Sequence, residues 1–339
     1  MDSLTQIVLG ASVGEAVCGR KIGNKALLWG AIAGTIPDLD VIANNFLDVV
    51  GQLSFHRSIT HSFLFAIFAA PLFGWLLHKI YPKSQATFRD WSWLFFWGFV
   101  THSLLDCFTT WGTQLFYPFS REGIAFYTVF VVDPFYTLPF LILVISVLFF
   151  KRSHPKRSFL NWTGIALSSG YLLFAVVSKQ MANRVFEKNL SEQGIAYSDY
   201  ISKPTPLNAL LWAITVETQE GYYTGFYSLL DANDQVKFTF SPKNHQLLQP
   251  YLGNPKVQRL LEVTKGYYTV QEAPEGYYIN DLRFGKFNGW QGSEDGHFVF
   301  VYHLIDKENE LRFEQKEYKF RPDGEYLLAF FNRIMGEKG

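Results

Sequence analysis

The first half of the chain alternates long apolar runs with short polar segments. Four stretches are apolar and approach the roughly 20 residues that a helix needs to cross a bilayer. They are residues 63–77, 91–117, 134–150 and 159–178. Between Asp90 and Ser120 there is no Lys or Arg, and Asp106 is the only acid after Asp90. We therefore predict four membrane-spanning helices.

Two shorter segments near the start, residues 3–19 and 26–36, are rich in Ala and Gly. Small residues allow helices to pack closely in a membrane, so these segments are expected to be short or tilted helices. Whether each crosses the membrane stays open. The predicted fold class is an α-helical multi-pass membrane domain of four to six helices.

The polarity of the chain changes near residue 185, after which charged residues are dense. Short β-branched and aromatic segments broken by turns predict strands. They are ALLWAITVET, GYYTGFYSLL, QVKFTF, HFVFVYHLI and LRFEQKEYKF. The segments NHQLLQPYLG, PKVQRLLEVTKG and DGEYLLAFFNRIMG predict helices. We predict a membrane domain over residues 1–184 and a smaller, sheet-rich α+β soluble domain over residues 185–339.

Composition supports a membrane protein. The chain has 33 Phe among 339 residues and only 18% charged residues, against about 25% in a typical soluble domain. Its formal net charge is zero, which argues against a polybasic nucleic-acid binder.

Lys and Arg orient the predicted spans, because they concentrate in cytoplasmic loops. The loops 78–90 and 151–157 are basic, so both are expected to be cytoplasmic. By alternation, Asp2, the loop 37–61, the loop 116–133 and everything after about residue 182 are extracytoplasmic. If only one of the first two segments crosses, Asp2 moves to the other side.

Ionisable residues occur in the membrane domain as short motifs, each open to a simple structural explanation. Asp38 and Asp40 in PDLD follow Pro37, which should end the preceding helix and leave both in an extended segment or turn. The two aspartates are metal ligands, or else they belong to a solvated turn or a helix cap. His56 and His61 in HRSITHS are ligands or polar anchors at the membrane interface.

His102 and Asp106 are four residues apart within a predicted span, so they share one helix face. Ionisable residues inside a membrane normally face a cavity with a partner. The pair is a functional site or a hydrogen-bonded pair that fixes helix packing. Asp133, just before Pro134, is a ligand or a helix N-cap.

The predicted topology places all these residues at the same, extracytoplasmic end. Imidazoles with carboxylates suit Zn²⁺, or Mn²⁺ or Fe²⁺ where carboxylates dominate. A bound metal would offset the cost of burying these groups. With this many ligands the site has room for two ions.

The motifs PDLD, HRSITHS and GFVTHSLLDCFTTWGTQLFYPF, in this order over about residues 1–150, resemble the inner-membrane metal-dependent hydrolases of the YdjM type, some of which are named LexA-binding. That family is thought to be related to zinc-dependent phospholipase C and the P1-type nucleases, which bind up to three zinc ions. The resemblance implies one to three ions held by the following residues: Asp38, Asp40, His56, His61, His102 and Asp106.

The leading hypothesis is a membrane-embedded hydrolase in which metal-activated water cleaves a phosphoester, or another ester, of a lipid or lipid-linked substrate. We assign catalytic roles to Asp40, Asp106 and Arg57, whose guanidinium matches phosphate geometry, although interfacial snorkelling also explains an Arg there. Neighbouring hydroxyls are expected to orient the ligands. They are Thr60, Ser62, Thr101 and Ser103.

Two alternatives remain. One is a non-catalytic membrane protein with a structural metal site and a C-terminal domain that senses a signal or binds a partner. A closed coordination sphere would favour it, whereas an open position would favour the enzyme. The other is a transporter, but its charged groups should continue toward the cytoplasmic side, and here they lie at one end only.

Overall fold

A computed structural model describes residues 1–292, 296–307 and 310–337. The chain divides into two units. The first contains residues 1–45, 55–175 and 206–208, and the second contains residues 46–54, 176–205 and those from 209 onwards. The predicted fold class is confirmed: an N-terminal helical membrane region is followed by a C-terminal domain of two antiparallel sheets.

The helices up to the predicted domain boundary follow the apolar segments of the sequence. They are α1 (Ser3–Ile22), α2 (Asn24–Thr35), a 3₁₀ helix (Pro37–Phe46), α3 (Val49–Phe55), a 3₁₀ turn (Ile59–His61), α4 (Phe63–Ile80), α5 (Phe88–Cys107), α6 (Pro134–Val147) and α7 (Pro155–Glu192). Helix α7 continues past residue 185, where the sequence predicts the domain boundary.

Within the described residues, three helical segments are long and apolar enough to cross a membrane: Asn24–Phe46, Phe63–Ile80 and Pro155–Glu192. Helix α6 is apolar but shorter. The span predicted over residues 91–117 is a helix only as far as Cys107. The helix stops there because the Thr109 hydroxyl donates back to the carbonyl of Asp106 at 2.7 Å, which competes with further helical turns.

Helices α1 and α2 pack almost backbone to backbone through glycines. A Cβ atom on Gly30 would lie 2.2 Å from the carbonyl oxygen of Gly10, and one on Gly14 would lie 2.2 Å from that of Ala26. Only glycine permits this approach, as in the small-residue contacts of membrane helices. The two short segments predicted from their Ala and Gly content are therefore a tightly packed helical pair.

The segment after Pro37 differs from the prediction. Pro37 does end the preceding α-helix, but Asp38 and Asp40 lie in a ten-residue 3₁₀ helix, Pro37–Phe46, rather than in an extended segment or turn. Proline has no N–H to donate and its φ suits a first helical position, so it can open a new helical segment.

A buried ion pair joins α1 to α7. The Arg157 guanidinium donates to both carboxylate oxygens of Glu15, at 2.7 and 2.6 Å, and also to Asn24 Oδ1 at 2.7 Å. A bidentate pair of this kind satisfies both buried charges. The contact fixes the start of α7 against the first helices.

The second unit contains two antiparallel four-stranded sheets, ordered β1-β2-β3-β4 and β5-β6-β7-β8. The strands are β1 (Asp199–Pro204), β2 (Leu211–Glu217), β3 (Gly221–Ser228), β4 (Phe238–Pro242), β5 (Tyr268–Ala273), β6 (Gly276–Asp281), β7 (Val301–Lys307) and β8 (Glu310–Lys316). Helices α8 (Pro255–Val263) and α9 (Gly324–Ile334) lie where the sequence predicts helices, while His245–Tyr251 is a 3₁₀ helix.

Candidate metal centre

Four side chains from three parts of the first unit converge at one end of α5. Asp38, His61, His102 and Asp106 each offer a ligand atom, and the four atoms lie within 4.8 Å of one another. Asp38 comes from the 3₁₀ helix, His61 from the turn before α4, and the other two from the last turns of α5. We call these four residues the metal centre.

The separations within the metal centre fit a small divalent cation. His61 Nε2 lies 3.1 Å from His102 Nε2, and Asp38 Oδ1 lies 3.5 Å from each of these nitrogens. Asp106 Oδ2 lies 3.4 Å from the first nitrogen and 3.7 Å from the second. Tetrahedral ligands at 2.0–2.1 Å from a zinc ion are about 3.3 Å apart. The donor set therefore fits a metal ion, although it does not specify which one.

His102 is held in the orientation that a ligand needs. Its Nδ1 lies 2.7 Å from the carbonyl oxygen of Gly34, so Nδ1 carries the proton and donates it. The lone pair of Nε2 then points to the metal centre, which is how metal-binding histidines are usually oriented. Gly34 belongs to the close contact between α1 and α2. That contact therefore fixes the carbonyl that sets the tautomer of His102.

His61 has a similar arrangement. Its Nδ1 lies 3.1 Å from Thr60 Oγ1 and 3.5 Å from Asp40 Oδ2. Burial lowers the pKa of His61, but the nearby carboxylates of Asp106 and Asp38 outweigh burial, so that its pKa lies above the ordinary value. The pocket therefore stabilises positive charge at this position.

Asp106 is fully buried and its two oxygens have different environments. Oδ1 accepts a hydrogen bond from Gln6 Nε2 at 2.9 Å and contacts the amino group of Met1. Oδ2 makes no hydrogen bond within the described part of the chain, and Arg57 Nε lies 3.0 Å from it. A buried carboxylate oxygen without a hydrogen bond is costly, and a metal ion would satisfy it.

Asp40 and His56, both predicted as ligands, lie beside the metal centre rather than among its four residues. His56 Nδ1 is 2.9 Å from Asp40 Oδ1, and Asp40 Oδ2 accepts from the backbone N–H of Arg57 at 2.9 Å. The two residues form a pair behind His61. Their predicted role as ligands requires a second ion.

Arg57 is buried and has an unusual backbone conformation, with φ of 60°. Its side chain donates to Thr109 Oγ1 at 2.9 Å, and its carbonyl accepts from the N–H of Gln114 at 2.9 Å. A left-handed conformation in a residue other than glycine costs about 1–3 kcal/mol and occurs preferentially at functional sites. The guanidinium thus points inward to Asp106, so the snorkelling explanation is wrong.

Other polar residues singled out in the sequence have structural partners. Asp133 accepts from the N–H groups of Phe135 and Tyr136 at the start of α6, as the simpler explanation predicted. Asp2 accepts from Thr5 at the start of α1. Two of the hydroxyls expected to orient ligands have other partners. Ser62 caps α4, and Thr101 donates to a carbonyl of its own helix.

Sequence reasoning did not predict Gln6, Thr109, Gly34 or the Met1 amino group at the site. Gln6 was the most accessible to sequence reasoning, because it is a long polar side chain in a helix rich in small and apolar residues, where a buried polar group needs a partner. Thr109 and the carbonyl of Gly34 carry no such signal, since hydroxyls and glycines are common at helix ends.

Comparison with known proteins assigns the family. The sequence pattern described as YdjM inner membrane protein matches residues 1–182. The uncharacterized protein YfhP of Bacillus subtilis (strain 168) is 26% identical over 233 residues, which cover 66% of this chain and 68% of that protein. The inner membrane protein YbcI of Escherichia coli (strain K12) is 31% identical over 144 residues, which cover 40% of this chain and 82% of that protein.

No solved structure matches the chain. The family match covers more than half of the 339 residues and contains every residue of the metal centre. The resemblance to the YdjM family is thereby confirmed, whereas the distant relation to phospholipase C is not shown. This chain belongs to the YdjM inner membrane protein family.

Proposed function

We propose that this protein is a membrane-embedded, metal-dependent hydrolase that cleaves a phosphoester of a lipid or lipid-linked substrate. The observation that carries the proposal is the metal centre itself, in which two imidazole nitrogens and two carboxylate oxygens lie within 4.8 Å of one another. Ionisable groups buried at the end of membrane helices normally serve a function.

Accessibility favours a catalytic role over a structural one. The side chain of Asp38 is 22% exposed, whereas those of His61, His102 and Asp106 are at most 1% exposed. The metal centre is therefore open on the side of Asp38 and closed elsewhere. Catalytic metal sites keep such an open position, while structural sites are closed by protein ligands.

Each residue near the metal centre then has a role. A divalent ion held there supplies Lewis acidity, which lowers the pKa of water and polarises a phosphoryl oxygen. The Arg57 guanidinium holds Asp106 and lies where it can stabilise negative charge that develops on the phosphoryl group. Gln6 and the Gly34 carbonyl keep Asp106 and His102 in place.

Asp40 and His56 are suited to proton transfer if one ion binds. The carboxylate of Asp40 holds Nδ1 of His56, as in other carboxylate–histidine pairs, which leaves Nε2 to give or take a proton. The side chain of His56 is 23% exposed, so substrate can reach it. If two ions bind, the same pair supplies ligands to the second ion.

The position of the metal centre supports a lipid or lipid-linked substrate. His61 lies two residues before the start of α4, which is long and apolar enough to cross a membrane. A headgroup at the membrane surface would therefore be close to the metal centre. The positive-inside rule predicts that this surface is extracytoplasmic, with the C-terminal domain on the same side.

A hydrolysis assay tests the proposal. Detergent-purified protein loaded with Zn²⁺ or Mn²⁺ is expected to release product from an activated phosphodiester and from phospholipid or lipid-diphosphate substrates. Asp38→Asn should lower the rate at least about 100-fold, the loss typical when metal coordination is disturbed. Asp133→Asn, which alters a buried carboxylate that caps α6, should retain activity.

Two results would contradict a hydrolase. One is a metal-loaded wild type that cleaves none of these substrates. The other is equal loss of activity in Asp38→Asn and Asp133→Asn. Stable metal binding without hydrolysis, with Asp38→Asn lowering only the unfolding temperature, would instead identify a structural site.

A further inference from the structure

A cavity lies at the opposite ends of the helices that carry the metal centre. Its volume is about 560 Å³, and it is lined by the α1–α2 turn, the α4–α5 connection and the segment before α7. On α5, Trp91 lines the cavity and Asp106 belongs to the metal centre. These residues are fifteen positions apart, or about 22 Å along a helix, so the two sites are separate.

The cavity has an excess of positive charge. Four cationic side chains line it, from Lys21, Lys25, Lys83 and Arg152. Lys21 pairs with Asp90 at 2.6 Å, but within the described residues the other three form no ion pair with a carboxylate. Three uncompensated cations around one cavity favour an anionic ligand.

The guanidinium of Arg152 is anchored through one nitrogen, and its other nitrogens can donate to a ligand. Nη1 donates to the carbonyl of Lys21 at 2.7 Å and to Gln85 Oε1 at 3.1 Å. Both of these bonds use the same nitrogen, so Nη2 and Nε remain for another acceptor. A guanidinium anchored on one nitrogen is well suited to a phosphate, whose oxygens match its planar fork.

The wall of the cavity includes a buried indole ring. Trp91 is fully buried and lines the cavity, yet its indole Nε1 makes no hydrogen bond to any residue in the described part of the chain. Buried indole N–H groups usually find a partner. This nitrogen is itself closed to solvent, so an anion in the cavity does not reach it as the ring stands, and the cations alone favour an anionic ligand.

We propose that this cavity binds a phosphate group, of the kind carried by an anionic phospholipid headgroup or by a soluble phosphate ester. The cavity volume lies within the range of small-ligand sites, about 300–1,000 Å³. Basic pockets at the ends of membrane helices commonly bind such headgroups. The site is distinct from the proposed hydrolase centre and does not depend on its activity.

Binding of phosphatidylglycerol, phosphatidylcholine and inorganic phosphate to the full-length, detergent-purified protein tests the proposal. Native mass spectrometry measures retained lipid, and isothermal titration calorimetry measures phosphate. The combined variant Lys25→Gln, Lys83→Gln, Arg152→Gln removes the three uncompensated cations. The matched control Lys79→Gln, Arg89→Gln, Lys151→Gln removes three cations at the same end of the chain's helices that do not line the cavity.

Wild type should prefer phosphatidylglycerol to phosphatidylcholine or bind inorganic phosphate. The cavity variant should bind about 100-fold more weakly, corresponding to about fivefold for each cation, and the control should match wild type. Binding of lipid without phosphate would identify a headgroup as the ligand. Binding of phosphate without a lipid preference would identify a soluble phosphate.

Two further variants keep the test decisive. Trp91→Phe keeps an aromatic ring in the cavity wall and should bind like wild type, because the indole nitrogen is closed to the cavity. His61→Ala should leave this binding unchanged, which separates the cavity from the metal centre. Equal loss in the cavity variant and its control, or wild type that binds neither ligand, would overturn the proposal.

Discussion

At the scale of single residues, the metal centre is defined as much by the groups behind the ligands as by the ligands. The Gly34 carbonyl sets the tautomer of His102, and Gln6 holds one oxygen of Asp106 while the other faces the centre. Groups of this kind orient metal ligands and raise their affinity. The four side chains therefore form a preorganised site.

Two substitutions of Arg57 separate the effect of its backbone conformation on stability from the effect of its side chain on activity. Arg57→Gly and Arg57→Ala both remove the guanidinium, but glycine adopts the φ of 60° without a Cβ clash, which otherwise costs about 1–2 kcal/mol. We expect Arg57→Gly to be more stable than Arg57→Ala by about 1 kcal/mol and both to lack hydrolase activity. Thermal unfolding in detergent measures the first difference, and equal stability would contradict it.

Lys203 on β1 makes the stability of the C-terminal domain depend on pH. Burial lowers the pKa of Lys203 from 10.5 to about 7, and its ammonium contacts the Arg283 carbonyl. Below pH 7 the folded state buries a charge. As the pH rises above 7, the folded state releases this proton while the unfolded state retains it to about pH 10.4, so stability increases.

We therefore expect the urea midpoint for unfolding of the C-terminal domain to rise between pH 7 and about 9, below the titration of free tyrosine. Lys203→Met should raise the midpoint at pH 7 and flatten this dependence. Proteolysis of the domain in the full-length protein measures the midpoint, with exposed Lys237→Met as the control. A midpoint that varies with pH equally in both variants would contradict the assignment.

The sequence predicted the residues of the metal centre better than the roles of their neighbours. Asp38, His61, His102 and Asp106 were recognisable because ionisable groups near apolar runs are costly without a function. The sequence did not show that Asp40 and His56 lie beside these four residues, because their positions depend on how a 3₁₀ helix and a loop turn in space.

At the scale of elements, the glycine contact between α1 and α2 positions the metal centre. A Cβ on Gly30 would lie 2.2 Å from the Gly10 carbonyl oxygen, whereas one on Gly170 in α7 would meet no atom within 4 Å. We expect Gly30→Ala to lower both thermal stability and metal content. Gly170→Ala should preserve both and add up to about 1 kcal/mol of helix stability.

Thermal unfolding and metal analysis of these two variants check the prediction, since both replace a helical glycine by alanine. If Gly30→Ala behaves like Gly170→Ala, then close helix packing does not determine the geometry of the centre.

Apolar run length predicted most helices, but not where they end or which short segments form strands. Helix α5 stops at Cys107, where a local hydroxyl bond competes with further turns and the next residues include Thr109, Thr110 and Gly112. The sequence reading missed β1, β5 and β6, which are six residues each and mix aromatic with polar side chains. Such strands gain their stability from pairing with neighbours, so their own composition is a weak signal.

At the scale of the whole molecule, orientation in the membrane links the two proposed sites. The positive-inside rule predicts that the basic cavity is cytoplasmic and the metal centre extracytoplasmic. Single cysteines at Glu122 and Glu272, introduced after replacement of the two native cysteines, are expected to react with a membrane-impermeant maleimide in spheroplasts. A cysteine at Lys151 should react only after lysis.

The opposite labelling pattern would contradict the orientation and with it an extracytoplasmic substrate. It would leave the geometry of the metal centre unchanged, so topology and metal binding are tested independently.

The most direct test of the central claim is the metal content of detergent-purified protein, measured by inductively coupled plasma mass spectrometry after mild chelation and dialysis. We expect at least one equivalent of a divalent transition metal in wild type and in the control His78→Ala, and loss of this metal in both His61→Ala and Asp106→Ala. Folded wild type without bound metal, or variants that retain it, would contradict the account.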